Sequence, residues 1–437
     1  MTLHRPLIAK LLVPLAAFAA TLGAILLLNR SSSPSGAGMP AGGAFVAPGA
    51  STDTQIAALE RDVADNSGDA ELYAALGNAF LQKVRETGDA TFYTRAETAF
   101  RQGLRRNPHD AGTLTGMGAL ALARHDFQGG LRYGMKAHAE APRVVRPYGV
   151  IVDAQVELGR YGDAARTLQR MVDLKPNLAS YSRVSYFREL HGDLNGALEA
   201  MRLAVSAGGD AAENLAYVQT LFGNLQFERG RLGDATHAYR LALARYPRYV
   251  AAEAGLARVE AAGGRLGAAI RRYRAVVARL PLPEHVVALG EAELAAGRGA
   301  AARHDLALVT VEQRLLQRNG VNTDTELALF EANHGDPARA LALARRSWAA
   351  APSVRSADAL GWALTRAGLP AEGLRWATRA LRLGSADPAF LYHAGMSAKA
   401  VGRAGLARRL LARSLAHNPR WSPLYAPHAA RALEELR

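Results

Sequence analysis

The feature that most constrains this chain is a 34-residue periodicity in its prolines. Pro108, Pro142 and Pro176 follow one another at intervals of 34 residues, and Pro247 and Pro281 are again 34 residues apart. A fixed period of this length is typical of stacked repeats rather than of separate globular domains. Aromatic residues make up only 7% of the chain while alanine and leucine abound, a composition that favours closely packed helices. We therefore expect an all-α repeat architecture.

The segments before these prolines have the pattern of a helix hairpin. Residues 159–168 read GRYGDAARTL and residues 230–239 read GRLGDATHAY, so the two align without a gap. The first glycine predicts the left-handed end of one helix, the aspartate (Asp163 or Asp234) predicts the cap of the next, and the alanine predicts a close helix approach. The terminal proline cannot continue the second helix and closes the unit.

These recurring residues resemble the tetratricopeptide repeat (TPR) pattern, in which W-x2-L-G-x2-Y is followed by A-x3-F, then A, then P. The first unit matches it with Tyr73, Leu76, Gly77, Phe80, Ala96, Phe100 and Pro108. The resemblance extends from about Asp69 to Pro419. It implies a TPR helix-hairpin solenoid, a right-handed superhelix of about nine to ten repeats over residues 53–420. Residues 421–437 are then expected to form a C-terminal capping helix that shields the last apolar face.

The N-terminus carries a hydrophobic segment that indicates export. His4, Arg5 and Lys10 precede an apolar run of 18 residues, Leu11–Leu28, which would span about 27 Å as a helix. The length favours an uncleaved transmembrane signal anchor over residues 1–30, and small residues in the run leave a cleaved signal peptide as the alternative. Residues 31–52, rich in Ser, Gly, Pro and Ala, are expected to be a flexible linker. Because the positive charges precede the run, we expect the solenoid outside the cytoplasm, membrane-anchored or secreted.

The sequence contains no pattern that nominates an active site. The chain has no cysteine, which excludes disulfides, thiolate metal sites and cysteine nucleophiles. It lacks a phosphate-binding P-loop, a G-x-S-x-G elbow and an H-E-x-x-H zinc pair, and its 12 histidines are scattered. We therefore expect neither enzymatic activity nor a cofactor, metal site or small-molecule substrate.

The resemblance to TPR proteins also indicates where a partner binds. In that family the first helix of each repeat lines a concave groove, and a few fixed positions face the ligand. The residues at those positions are Asn78, Gln82, Asp153, Glu157, Tyr186, Glu189, Asn224, Glu228, Glu291, Trp362, Tyr392 and Met396. The lining is acidic in the middle repeats, and we expect these acids to be exposed, so that neutralising them would leave stability unchanged.

The function class that these observations favour is a protein–protein interaction scaffold or adaptor. It would bind an extended peptide or a partner helix in the groove, on the outer side of the cytoplasmic membrane. The alternative is a binder of anionic polymer, membrane surface or nucleic acid through arginines of the convex face, since the net charge is +14. The arginines alternate with acids instead of forming blocks, so we do not expect nucleic acid as a partner.

Overall fold

The structure is a computed structural model that describes residues 51–208, 212–384 and 386–437. The predicted anchor or signal peptide over residues 1–30 lies outside the described residues, as does the predicted linker except for its last two positions. Among the residues that are described, no helix has both the length and the apolar character needed to cross a membrane.

The described chain contains 22 α-helices and one short 3-10 helix, and no strand occurs in it. The first half comprises α1 Thr52–Asp65, α2 Ala70–Thr87, α3 Thr91–Arg106, α4 Ala111–Ala123, α5 Phe127–Glu140, α6 Val145–Glu157, α7 Tyr161–Leu174, α8 Leu178–Leu190, α9 Leu194–Ser206, α10 Ala212–Glu228 and α11 Leu232–Arg245. The second half comprises α12 Val250–Ala262, α13 Leu266–Val277, α14 Pro283–Ala295, α15 Gly299–Arg318, α16 Asp324–His334, α17 Pro337–Ala350, α18 Val354–Arg366, α19 Pro370–Ala380, the 3-10 turn Leu381–Leu383, α20 Pro388–Ala400, α21 Ala404–Ala416 and α22 Tyr425–Glu434.

Helices α2 to α21 pair in order into ten hairpins, which we number 1 to 10. In each hairpin we call the first helix inner and the second outer. Twelve of the 13 residues of the inner helix α8 are buried, against four of the 14 residues of the outer helix α7. The inner helices therefore form the core layer of a solenoid of stacked helix hairpins, and the outer helices expose one face to solvent.

The turn within hairpin 3 shows how sequence produces this geometry. Gly159 ends α6 with a φ of +68°, which a residue without a Cβ adopts easily, and Ala164 is fully buried where the helices meet. The predicted aspartate cap is wrong. Arg160 occupies the N-cap of α7 without a capping hydrogen bond, and Asp163 lies in the first helical turn, paired with Arg166. A carboxylate there still interacts favourably with the helix dipole.

Glycines of neighbouring inner helices make room for an aromatic side chain of an outer helix. Tyr239 is fully buried, and its ring would lie 2.6 Å and 2.5 Å from a Cβ placed on Gly223 and Gly255. A side chain at either glycine would overlap the ring, so the small residues are a packing requirement. This contact joins hairpins 5 and 6 through one shared ring.

Contacts between distant hairpins show that the solenoid coils back on itself. Three hydrogen bonds join residues 191, 193 and 197 positions apart: Asn418 with Phe227, Val354 with Tyr161, and Asn322 with His125. At the second contact, Gly159 lies so close to the Pro352 carbonyl oxygen that a Cβ on residue 159 would overlap this oxygen. These separations correspond to between five and six repeats of about 34 residues. The later hairpins therefore form a second superhelical turn that stacks on the first.

Candidate functional site

The predicted groove positions lie on the inner helices, where each of them is buried or half-buried. Asp153, Glu157 and Glu189 are 5%, 4% and 7% exposed, and the Glu228 side chain is 14% exposed. The expectation that these four acids face open solvent is wrong. Side chains of the adjacent hairpins contact Asp153 and Glu228, and a side chain of the second superhelical turn contacts Glu157. Their role in binding stays a prediction.

Two of these acids form ion pairs with the next hairpin. The Asp153 carboxylate accepts two hydrogen bonds from the Arg183 guanidinium, at 2.9 Å and 2.8 Å. The Glu228 carboxylate lies 3.4 Å from the Arg258 guanidinium. Burial raises the pKa of both carboxyls, and the neighbouring arginine partly opposes that rise. Removing one partner of such a pair leaves an uncompensated buried charge, which costs about 3–5 kcal/mol.

A third acid is paired across the junction between the two superhelical turns. Glu157 Oε1 lies 3.7 Å from Arg355 Nη1, and Arg355 Nη2 lies 3.5 Å from Glu326 Oε1. His125 Nδ1 is 4.0 Å from the other oxygen of Glu326. Burial raises the pKa of the Glu157 carboxyl, while Arg355 and His125 lower it. A small pocket opens here, and its lining includes all four of these side chains together with Asn322.

The remaining acid of the four, Glu189, is buried and interacts electrostatically with two half-buried carboxyls, Glu228 and Asp387. We call Glu189, Glu228 and Asp387 together the acidic cluster. Burial raises the pKa of the Glu189 carboxyl well above its usual range, and the charges of Glu228 and Asp387 raise it further. Burial also raises the pKa of the Asp387 carboxyl well above its usual range, and the charges of Asp358 and Glu228 raise it further. Carboxyls of hairpins 4 and 5 and of the connection between hairpins 9 and 10 thus repel one another electrostatically.

Tyr186 lies beside this acidic cluster. It is 8% exposed, and its hydroxyl is buried without a hydrogen-bond partner among the described residues. Burial raises the Tyr186 pKa well above its usual range, and the charges of Glu157 and Glu189 raise it further while Arg355 opposes them. A buried hydroxyl without a partner costs free energy, so this position favours a ligand group that can form a hydrogen bond.

The C-terminal groove positions form an aromatic cluster. Trp362 and Tyr392 are 5% and 4% exposed, and the Trp362 ring stacks on the His393 ring at 4.5 Å. His393 Nδ1 lies 2.9 Å from Asp358. Met396 packs against this core while partly buried. The cluster fills the inner wall of hairpins 9 and 10.

Three of the other predicted positions make polar contacts on the same wall. The fourth, Asn78, is half-buried. Gln82 donates to Glu213 at 2.8 Å, Asn224 accepts from Tyr239 at 2.7 Å, and Glu291 lies 3.1 Å from His334. No cluster of three or more metal-ligating side chains occurs within residues 51–208, 212–384 and 386–437.

Sequence reasoning missed the basic partners of the acids. Arg183 follows Asp153 by 30 residues, and Arg258 follows Glu228 by the same interval. A search for opposite charges separated by nearly one repeat would have found both pairs. The Glu157 contact with Arg355 has no such signal, because it depends on the pitch of the superhelix.

No family model and no curated protein sequence matches the chain. Among solved structures, it is similar to TTC0263, a thermophilic TPR protein of Thermus thermophilus, with 22% identity over 39% of this chain and 91% of that one and a TM-score of 0.36. It is also similar to the APC/C hetero-tetramer Cut9-Hcn1 (14% identity, 88% and 93% of the two chains, TM-score 0.33) and to MamA protein (16%, 39% and 91%, 0.29). These likenesses concern the fold alone.

Proposed function

We propose that this protein is a non-enzymatic interaction scaffold that holds an extended, basic segment of a partner protein against its inner wall. The observation that supports this most is the acidic cluster of Glu189, Glu228 and Asp387, in which Glu189 is buried and the other two are half-buried. Like charges in a desolvated place repel one another, and among the described residues Arg258 is the cation that opposes the raised pKa of Glu189. A lysine or arginine of a partner would relieve this repulsion.

The unpartnered Tyr186 hydroxyl gives the same segment a second contact. An extended peptide carries backbone N–H and C=O groups at nearly every residue, so it can supply a hydrogen bond wherever the wall needs one. Because Glu189 and Tyr186 are almost fully buried, the segment would reach them only after the two superhelical turns move apart. The pocket beside Glu157 and Arg355 lies at that junction.

We also propose that the solenoid, a right-handed superhelix, works outside the cytoplasm. The support is the positive charge before the apolar run Leu11–Leu28, which orients such segments with the basic end inside. The Ser/Gly/Pro/Ala-rich chain up to residue 52 would tether the repeats to the membrane.

Fluorescence anisotropy with labelled unstructured peptides tests the scaffold proposal. Three peptides of one length would be compared, with lysines, glutamines or glutamates at the same positions, against the full-length protein. We expect the lysine peptide to bind tightest, and Glu189→Gln to weaken it about tenfold, which corresponds to ~1.4 kcal/mol. Asp163→Asn is the matched control, because it removes one negative charge from an outer helix where the side chain is 44% exposed.

The proposal also predicts a pH dependence of its own. A bound cation favours the ionised carboxylate, so binding should strengthen as pH rises through the raised pKa of Glu189. Equal binding of all three peptides, or equal weakening by Asp163→Asn and Glu189→Gln, would contradict a basic partner segment on this wall.

A further inference from the structure

The outer helix of hairpin 7 carries an exposed apolar stripe. α15 has 20 residues, whereas the outer helix of hairpin 6 has 12. Leu308, Val311 and Leu315 are 40%, 50% and 47% exposed, and spacings of three and four residues place them on one face of the helix. The other exposed large apolar residues of the described chain are scattered over different helices and turns.

Three basic side chains flank this stripe on one side of the helix, and the acids Asp305 and Glu312 lie on the other side. Arg303, Arg314 and Arg318 are exposed, and none of the ion pairs among the described residues involves them. Glu312 is half-buried on the flank of the same helix. We call the three apolar and three basic residues together the α15 face. An exposed apolar stripe next to arginines is typical of helices that lie at an anionic membrane surface.

The C-terminal end of α15 lies near α3, which contacts α1, the first described helix of the chain. Asn319, directly after α15, lies 3.5 Å from Thr94 of α3, and the next residue, Arg95, pairs with Glu60 of α1 at 2.8 Å. The sequence places 22 residues between Leu28 and Ser51, and a Gly/Ser-rich peptide of that length has an average end-to-end distance of about 25 Å. An anchor in the run before them would therefore hold α15 within reach of the bilayer.

We propose that the α15 face docks on an anionic lipid surface and sets the orientation of the solenoid relative to the membrane. This inference rests on the proposed membrane location and is independent of the peptide-binding proposal. The three apolar side chains would insert among the acyl chains, while the arginines would contact lipid phosphates. Each arginine should contribute about fivefold in apparent affinity for anionic over neutral lipid.

Single-cysteine labelling tests the docking directly, because the natural chain has no cysteine. The full-length protein would be reconstituted in vesicles of phosphatidylcholine, with or without phosphatidylglycerol, and in the presence of lipid carrying a nitroxide quencher. An environment-sensitive fluorophore would be placed at Val311→Cys or Leu315→Cys. Leu241→Cys is the matched control, since Leu241 is 41% exposed on the outer helix α11. A fourth label at Thr21→Cys reports the anchor itself.

We expect strong quenching at Val311→Cys and Leu315→Cys in phosphatidylglycerol vesicles, little in neutral vesicles, and none at Leu241→Cys. The added substitutions Arg314→Gln and Arg318→Gln should shift the midpoint of a phosphatidylglycerol titration by about 25-fold. Quenching at Thr21→Cys without quenching on α15 would overturn the docking and leave the anchor standing. A blue-shifted, unquenched fluorophore on α15 would show that protein covers this face, and would overturn the proposal equally.

Discussion

Replacing Gly159 by alanine tests whether the two superhelical turns are joined as the structure shows. Gly159 has a φ of +68°, and a Cβ added to it would overlap the Pro352 carbonyl oxygen. Alanine therefore incurs the left-handed conformation, about 1–2 kcal/mol, and the displacement of a packed backbone group, about 1–3 kcal/mol. Gly264 is the matched control, because its φ is +78° and an added Cβ would meet nothing within 4 Å.

We expect Gly159→Ala to lower the free energy of unfolding by about 2–5 kcal/mol and Gly264→Ala by about 1–2 kcal/mol. Native-state hydrogen exchange is the suitable assay, since a repeat array opens locally and its unfolding need not be a single transition. In Gly159→Ala, exchange should rise in hairpin 3 and also around Pro352. In Gly264→Ala it should rise only near hairpin 6.

Equal destabilisation by the two variants would refute the stacked turns, as would a loss of protection confined to hairpin 3. A second pair of glycines repeats the comparison. Gly230 faces the His417 carbonyl oxygen, 2.5 Å from an added Cβ, whereas Gly402 has nothing within 4 Å. If both pairs give the same result, the destabilisation comes from the junction between the superhelical turns and not from a local property of hairpin 3.

Three further predictions concern packing, pH and topology. Ala164→Trp should destabilise hairpin 3 by about 1–3 kcal/mol or more, because Ala164 is fully buried between its helices and added volume strains a packed core; hydrogen exchange that rises evenly over all ten hairpins would contradict this. The folded-state pKa of Glu189 is raised above the ordinary 4.5, so the folded state holds its proton more tightly, and stability should fall as pH rises from that value through the raised pKa. Glu189→Gln should flatten this decline in melting temperature above pH 4.5, whereas the control Asp163→Asn should retain it. Protease added to intact cells should digest the repeats if the apolar run orients them outward, and digestion only after lysis would contradict export.

The predicted stability of a groove variant changes once burial is known. With the acids exposed, neutralising Asp153, Glu157, Glu189 and Glu228 together would have altered folding little. In the structure Asp153 has a buried guanidinium partner, so its neutralisation alone leaves Arg183 without this counter-charge. A loss of binding in such a variant would therefore be evidence about the site only if folding were measured alongside it.

The sequence by itself determined the local architecture of this protein. This architecture depends on residues that are close in the chain, so the sequence pattern predicts it. Examples are the 34-residue period, the glycine at the end of α6, and the alanine of α7 that packs against α6. Even the pairing of Asp153 with Arg183 has a sequence signature, because neighbouring repeats always meet in the same way.

Only the tertiary structure determined which groove residues are buried and which partners they contact. The small rotation between successive repeats accumulates over five to six of them, and no local residue pattern reports its sum. That sum places Arg355 beside Glu157, and it brings Asp387 of the last inter-hairpin connection to Glu189. It also turns solvent-facing positions into buried ones. Which acids are paired, repelled or exposed is therefore a property of the superhelical pitch.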